Sequence, residues 1–309
     1  MSPDRGFVLI NALILVAALS AVAVFLLTRS EIGRARLQAG QDADQLAMGL
    51  DAFDAFAMAQ LTADTNSIDH LGESWAKPLP VLPLARGSVS GQITGLQGRF
   101  NVNWLADPEH IIAHQAFDRL LTRLAIPART GAAIRSFLRP GGPENQGPWI
   151  RLDPPLDPVG GAILSLEQLR AIPQLSDRSF QRLSPFLAAL PGDSALNVNT
   201  ASKEVLAAFL PHLPPAVLIR LLSTRQRQPF DSSAAFLSAV GIEEDTEETD
   251  DPTDSAPQLS PDLFAVSSNW FRAEATTTLG DRKAQRVTIF QRKGLPRRIT
   301  IAWRRSAWP

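Results

Sequence analysis

The chain opens with an apolar segment, residues 7–27, that contains no charged side chain. Arg5 precedes this segment, and Arg29 and Glu31 follow it. As a helix with a rise of about 1.5 Å per residue, the segment extends over roughly 30 Å, which is the thickness of the hydrocarbon core of a bilayer. The sequence therefore predicts a membrane-spanning helix, and the polypeptide that follows it is expected to fold outside the bilayer.

Three interpretations of this segment compete. A secretory signal peptide could be cut after Ala21-Val22-Ala23, although the apolar segment is longer than the 7–15 residues usual for a signal core and continues past that position. A plain signal anchor is the second. The third rests on Arg5-Gly6-Phe7, because a glycine directly before the apolar helix resembles the leader of type IV pilins and pseudopilins. That resemblance implies that a prepilin peptidase cuts between Gly6 and Phe7 and methylates the new N-terminus.

The fifth position after this predicted cut is Asn11. Pilin-like proteins usually carry glutamate there, and the carboxylate is thought to pair with the positive N-terminus of a neighbouring subunit. A charge in an apolar fibre core is costly unless it is paired. A subunit at the tip has no neighbour above it, so it does not need the glutamate. In lacking this glutamate, the chain resembles K-type pseudopilins.

The segment after the membrane helix, residues 28–63, contains no proline and is amphipathic. Its apolar side chains at positions i, i+4, i+7 and i+11 predict a stripe that faces the core. The stripe consists of Leu46, Leu50, Phe53 and Ala57. We expect one long helix that continues from the membrane, with a second helix after a break near Gly33 or Gly40 as the alternative.

Strand-like sequence lies on both sides of a helical block. Residues 89–96, 264–278, 284–291 and 298–303 predict strands, whereas the prolines at 78, 80 and 83 predict a loop. We expect Phe290, Ile301 and Trp303 to be buried against the long helix. The predicted fold is α+β, a pilin-like membrane helix on an antiparallel sheet, with a large all-α domain inserted between strands.

The predicted organisation has five parts. They are a leader at 1–6, a transmembrane helix at 7–27, a stem helix with the first strands at 28–103, an inserted helical domain at 104–258, and C-terminal strands at 259–309. Within the insert, Asp107-Pro108 predicts a helix start and Ser165 with Gln168 predicts a capping box.

Four short motifs follow one another along the chain. They are G-R-F-N-x-N at 98–103, an S-x-x-E-L-like segment at 165–169 with its glutamate one position early, L-N-V-N-T-A-S followed by V-L at 196–206, and R-x-x-x-P-F at 225–230. In this order they resemble the K component of the type II secretion pseudopilus over nearly the whole chain. The motif residues are Gly98, Phe100, Asn101, Asn103, Asn197, Asn199, Thr200, Arg225 and Phe230.

The four asparagines of these motifs lie at predicted element boundaries, where short amide side chains bond the local backbone. We interpret them as residues that hold the fold, with contacts to a partner protein as the alternative. Neither interpretation makes them catalytic.

Calcium stays open. Many members of the family carry an aspartate-rich stretch associated with bound calcium, but the corresponding residues 137–157 contain only Glu144, Asp153 and Asp157 as acidic groups. Calcium takes six to eight oxygen ligands, several of them carboxylates. The acidic run at 243–254 is a possible substitute.

A membrane-anchored DNA-binding protein is the main alternative function, because residues 196–227 resemble the helix-hairpin-helix of competence-type DNA receptors. Such hairpins usually have a G-x-G turn whose amides contact phosphate, whereas here the turn contains Pro211, Pro214 and Pro215. The formal net charge of −1 also gives no basic field for nucleic acid. With no cysteine and no nucleotide or hydrolase motif, an enzyme is not expected.

The resemblance to the K component implies a single-pass inner-membrane protein whose bulk lies in the periplasm. It implies assembly with I-type and J-type minor pseudopilins and with the other pseudopilins of the fibre, so that the complex initiates and caps the fibre. Prepilin peptidase is the implied processing partner, and no nucleic acid is expected.

Overall fold

The computed structural model describes residues 4–242, 259–294 and 298–308. The chain begins with one helix, α1 (Asp4–Ala63), which is 60 residues long and therefore about 90 Å in length. It passes through Gly33 and Gly40 without interruption, so the alternative of two separate helices is wrong. A Cβ at either glycine would meet open space, so neither position is a packing constraint.

The two halves of α1 have different surroundings. The first half contains an 18-residue window of mean hydropathy 2.7, none of which is buried, so by length and composition it can cross a membrane. Leu9 is 73% exposed and Leu27 61%. The predicted stripe in the second half is confirmed, because its four residues are at most 1% exposed where α1 packs on the sheet. They are Leu46, Leu50, Phe53 and Ala57.

Nine strands are present in the described residues. They are β1 (Leu79–Pro83), β2 (Ser88–Gly95), β3 (Phe100–Asn101), β4 (Leu187–Ala188), β5 (Leu196–Asn197), β6 (Phe264–Ala265), β7 (Trp270–Leu279), β8 (Arg282–Lys293) and β9 (Arg298–Ala307). Five form one antiparallel sheet in the order β1-β2-β7-β8-β9. The loop predicted at the prolines is wrong for 79–83, where β1 is an edge strand. Edge strands tolerate proline because one side of their backbone needs no ladder partner.

The burial predicted for the last strand is only partly correct. Phe290 is fully buried against α1, but Ile301 is 39% exposed although it lies opposite Phe290. A β-bulge at Ala302 adds a residue, so Trp303 pairs with Ile289 and its side chain lies on the other face of the sheet. An extra residue reverses the alternation of faces, which a period-two reading of the sequence cannot detect.

The helical insert lies between β2 and β7. Its helices are α2 (Ile111–Arg123), α3 (Ala128–Leu138), α4 (Gly147–Ile150), α5 (Asp177–Leu183), α6 (Lys203–Phe209), α7 (Pro215–Arg227) and α8 (Ser233–Ala239). They surround a core separate from that under α1, in which Phe100 stacks on Phe117 at 5.3 Å and on Phe209 at 5.9 Å. The α+β fold with a helical domain between strands is confirmed.

Local signals in the insert were mostly accurate. Ser165 and Gln168 form the capping box predicted for them, at the start of a 3₁₀ helix, Leu166–Ala171. The helix start predicted with Asp107 as N-cap is wrong by three residues, because the Asp107 carboxylate accepts a bond from the backbone N–H of Glu109 and forms a turn. Helix α2 begins only at Ile111.

Candidate functional site

The insert joins the sheet through a set of segments that we call the neck, residues 96–103, 196–200 and 266–269. At this point β2 ends beside the start of β7, since Gly95 lies opposite Phe271. The Leu96 N–H donates to the Trp270 carbonyl at 2.9 Å, so both chain crossings between sheet and insert are adjacent. Most motif residues of the sequence lie in or against the neck.

The first pair of motif asparagines connects distant segments of the insert. The Asn101 side-chain oxygen accepts from the N–H groups of Leu190 and Asn103 at 3.1 Å, and its amide donates to the Pro191 carbonyl at 2.8 Å. The Asn103 amide donates to the carbonyls of Ile163 and Leu190 at 2.9 and 2.7 Å. The Asn103 oxygen also accepts from the Ile163 N–H at 2.8 Å. Each side chain therefore makes three of its four possible hydrogen bonds inside the protein.

The second pair connects the insert to the sheet and to the end of α1. The Asn197 amide donates to the Asp69 carbonyl at 3.2 Å and to the Ser268 hydroxyl at 2.9 Å, while its oxygen accepts from the Asn199 N–H at 2.9 Å. Asn199 exchanges two bonds with the backbone of Phe230, at 2.8 and 2.9 Å. These contacts support the interpretation that the asparagines hold the fold.

Gly98 and Thr200 lie against each other in the neck. A Cβ added to Gly98 would lie 2.6 Å from the Thr200 hydroxyl oxygen and 2.7 Å from its backbone, closer than real Cβ atoms approach. Only glycine therefore allows this contact. Phe100, two residues on, is fully buried in the insert core.

Arg225 is a buried cation that is bonded to backbone carbonyls. Only 7% exposed, it donates through Nη1 to the Val198 carbonyl at 2.5 Å and to the Ala201 carbonyl at 2.9 Å. Burial lowers the pKa of the Arg225 guanidinium to about 10 because desolvation disfavours the charge. The Arg225 guanidinium supports the motif loop and is therefore not available to a phosphate. This geometry counts against the DNA-binding alternative.

Sequence reasoning missed a charged cluster on the α1 side of the neck. Arg292 of β8 donates to Asp64 at 2.8 Å and to Asp69, and Ser268 donates its N–H to Asp69 at 2.6 Å. Burial raises the pKa of the Asp69 carboxyl to about 6, because desolvation outweighs the attraction of Arg292. Partners more than 200 residues apart leave no local signal in the sequence.

Gln97 was missed as well, although it directly precedes the G-R-F-N-x-N motif. Its amide donates to the Ala195 carbonyl at 2.9 Å and its oxygen accepts from the Asn269 N–H at 2.5 Å. Its backbone carbonyl also accepts from the Asn197 N–H at 2.8 Å, so Gln97 bonds both other segments of the neck.

The few acidic residues in the region where the family carries its aspartate-rich stretch do not fit calcium. The Glu144 carboxylate is 82% exposed and bonded to Arg139 at 2.5 Å, and Asp153 and Asp157 are exposed. The acidic run at 243–254 lies outside the described residues.

Among the described residues, three carboxylates lie within 4.8 Å of one another, those of Asp64, Asp69 and Glu73. Arg292 already supplies a positive charge to two of them. Glu73 accepts from the Trp75 indole N–H at 2.8 Å and from the Asn66 amide at 2.7 Å. Five of the six carboxylate oxygens accept from other donors, and only Asp69 Oδ1 has no hydrogen-bond partner in the described part of the chain. One free oxygen does not supply the six-to-eight-oxygen shell of calcium.

The predicted processing residues lie at the start of α1. Gly6 and Phe7 are in the first turns of the helix, and the Phe7 side chain is 69% exposed. Asn11 is exposed on the membrane-length part of the helix. These positions are far from the neck along the chain.

A membrane-length helix packed on an antiparallel sheet, with a helical domain inserted between two strands, defines a pilin-like protein. Two family models described as type II secretion system protein K match this chain, at residues 98–192 and 196–254. They cover the insert and both halves of the motif set. These matches, with the relatives below, support a type II secretion system protein K, whose family is a structural component of the secretion apparatus.

Curated relatives agree over most of the length. The chain is 28% identical to type II secretion system protein K of Pseudomonas aeruginosa, over 94% of this chain and 89% of the relative. It is 25% identical to protein K of Aeromonas hydrophila, over 83% of this chain and 82% of the relative. Its fold is similar to a chain in the crystal structure of the GspK-GspI-GspJ complex from enterotoxigenic Escherichia coli. That match has a TM-score of 0.71 and 20% identity, and covers 89% of this chain and 100% of that chain.

Proposed function

We propose that this protein is the tip subunit of a type II secretion pseudopilus, without enzymatic activity. It assembles with I-type and J-type minor pseudopilins and with the fibre pseudopilins, and the complex initiates and caps the fibre that drives protein export across the outer membrane. The solved GspK-GspI-GspJ complex supports the choice of partners.

The position of the insert carries this proposal. The neck bonds to the segment directly after α1, because the Asp69 N–H donates to the Val266 carbonyl at 2.8 Å and Arg292 joins Asp64 to Ser268. The insert is therefore attached at the end of α1 that is farthest from the membrane segment. A domain at that end occupies the space in which the next subunit would be added, and so it caps the fibre.

In this proposal the protein is a single-pass inner-membrane protein with its bulk in the periplasm. Prepilin peptidase removes residues 1–6 and methylates Phe7. A Gly6→Val variant is expected to accumulate as uncleaved precursor, because a branched side chain does not fit where a bare backbone is needed. Terminal mass analysis of wild type should show a start at Phe7, and a start at Val24 would contradict the pilin-like interpretation.

Asn11→Glu tests the tip position itself. A tip subunit offers the new carboxylate no N-terminus from above, and an unpaired carboxylate in the membrane costs about 2.5–3.5 kcal/mol on insertion scales. We expect exoprotein release to be unchanged or lower in a strain whose chromosomal copy is deleted. Asn11→Gln is the neutral control and should secrete normally. Improved secretion by Asn11→Glu, or its incorporation along the fibre shaft, would refute the tip assignment.

Co-purification tests the partners. The full chain in nonionic detergent should retain I-type and J-type subunits, and Arg292→Met, which loosens the neck, should weaken that retention if a fixed insert is needed. An assembly that forms equally well without this subunit would contradict its role in initiation.

A further inference from the structure

The insert contains a cavity of about 760 Å³ between α3 and the turn of α4. Three arginines line it, Arg129, Arg135 and Arg139, whereas Glu144 is its one acidic lining residue. We call this cavity the arginine pocket. Three positive charges against one negative charge leave it cationic, and its lining includes residues that correspond to the aspartate-rich stretch of the family.

Trp149 provides the most informative observation. This residue lines the arginine pocket and is only 3% exposed, and its ring stacks on Phe137 at 6.4 Å. Its indole N–H has no acceptor among the described residues. A buried donor without an acceptor destabilises a fold, so most native donors are paired. An acceptor supplied from outside the chain would satisfy it.

The arginines are also incompletely used. Arg129 is exposed and has no ionic or hydrogen-bond partner in the part of the chain described here. Arg139 bonds only Glu144, and both side chains are more than half exposed. Arg135 bonds Asp118, which is 57% exposed. Exposed ion pairs of this kind are weak, so their guanidinium groups can turn to another anion.

We propose that the arginine pocket binds a doubly charged oxyanion of the phosphate type, held by Arg129, Arg139 and the Trp149 N–H. Guanidinium forks match the geometry of phosphate oxygens, and charge-assisted bonds of this kind are the strong ones. A phosphate dianion also balances the two excess positive charges of the lining. This site is independent of the tip assignment and of the neck, and a cation such as calcium is disfavoured there.

Trp149→Phe is the sharpest test, because it removes the unpaired donor and keeps the aromatic ring on Phe137. Calorimetric titration of inorganic phosphate and of glycerol 3-phosphate into the full chain in nonionic detergent should show saturable binding by wild type. Trp149→Phe should weaken it about tenfold, as expected for a lost bond to a charged group. The same variant should unfold at the wild-type temperature or higher without ligand.

Arg129→Gln is expected to weaken phosphate binding by about tenfold or more. Arg178→Gln, which changes the same charge at an exposed position outside the pocket lining, is its matched control and should bind like wild type. Tighter binding of glycerol 3-phosphate than of inorganic phosphate would assign a phosphomonoester such as a lipid headgroup. Equal or weaker binding would assign the free anion.

Three results would overturn the proposal. One is the absence of saturable binding for both phosphate compounds. Another is wild-type affinity in both Trp149→Phe and Arg129→Gln. The third is calcium binding that Trp149→Phe or Arg129→Gln strengthens or weakens, because a cation in the arginine pocket excludes the proposed anion.

Discussion

Asn103→Ala should be among the most damaging substitutions of a single polar residue in this protein. The Asn103 side chain, 5% exposed, makes three hydrogen bonds to the backbone of Ile163 and Leu190. Alanine leaves one buried N–H and two carbonyl groups without these partners. At about 1–3 kcal/mol for each unsatisfied group, with the carbonyls at the low end, the expected loss is about 3–5 kcal/mol.

Thermal unfolding of the full chain in nonionic detergent, followed by circular dichroism, measures this loss. About 2–4 °C per kcal/mol for a protein of this size gives a lower Tm by roughly 6–20 °C. Asn145→Ala is the matched control, since this exposed amide oxygen accepts only the nearby Gly147 N–H. The control should change the free energy of unfolding by less than about 1 kcal/mol.

The isosteric change Asn103→Asp tests the direction of the hydrogen bonds. It keeps the acceptor for the Ile163 N–H but places an oxygen against the two carbonyls. Ionisation is disfavoured there, so the folded-state pKa of the new carboxyl is raised and stability is lost as pH rises through neutrality. The variant should be more stable at pH 4 than at pH 7, relative to wild type. If Asn103→Ala unfolded within 1 kcal/mol of wild type, the structural role of the asparagines would be refuted.

Three further predictions concern the sheet and the neck. Phe290→Ala should lower the free energy of unfolding by about 3–5 kcal/mol, because it truncates a core side chain. Ile301→Ala, directly opposite but 39% exposed, should lower it by less than about 1 kcal/mol, and equal losses in chemical denaturation would contradict the register. Burial raises the pKa of Asp69 from 3.8 to about 6 in the folded state, so the folded state binds this proton more tightly than the unfolded state. As the pH rises from about 4 to 6, wild type should therefore lose stability, whereas Asp69→Asn should not. Arg305→Ala, which breaks an exposed pair with Glu167 between sheet and insert, should change the free energy of unfolding by less than about 1 kcal/mol, and a larger change would mean that this pair fixes the insert.

Periodicity predicted the parts of the fold that one segment determines. The stripe from Leu46 to Ala57 followed from helical spacing, and the capping box at Ser165 followed from two residues three positions apart. The position of Trp303 could not follow in this way. A single bulge residue, Ala302, moves that side chain to the other face, and nothing in the local sequence marks it.

In the candidate site, too, the local contacts were predictable from the sequence and the long-range contacts were not. The asparagines were recognisable because short amides at element boundaries bond nearby backbone, and Asn197 does bond the Asn199 N–H. Their other partners were not recognisable, since Asn197 also bonds Asp69, 128 residues before it, and Ser268, 71 residues after it. Long-range partners depend on how the insert is placed, which only the folded chain determines.

The geometry of the neck explains how so large an insert is compatible with the sheet. Because β2 and β7 are antiparallel neighbours, their adjoining ends lie where a hairpin turn would connect them. Residues 96–269 replace that turn, and closing a longer loop costs little more free energy than closing a short one. The sheet register and the packing of α1 therefore need no adjustment. What the longer connection loses is rigidity, and buried amides restore it without placing an unpaired charge in the interior. Glycine at position 98 lets its segment of the neck touch Thr200, and the Asn197 amide bonds the Asp69 carbonyl, so the insert is held against the segment that follows α1.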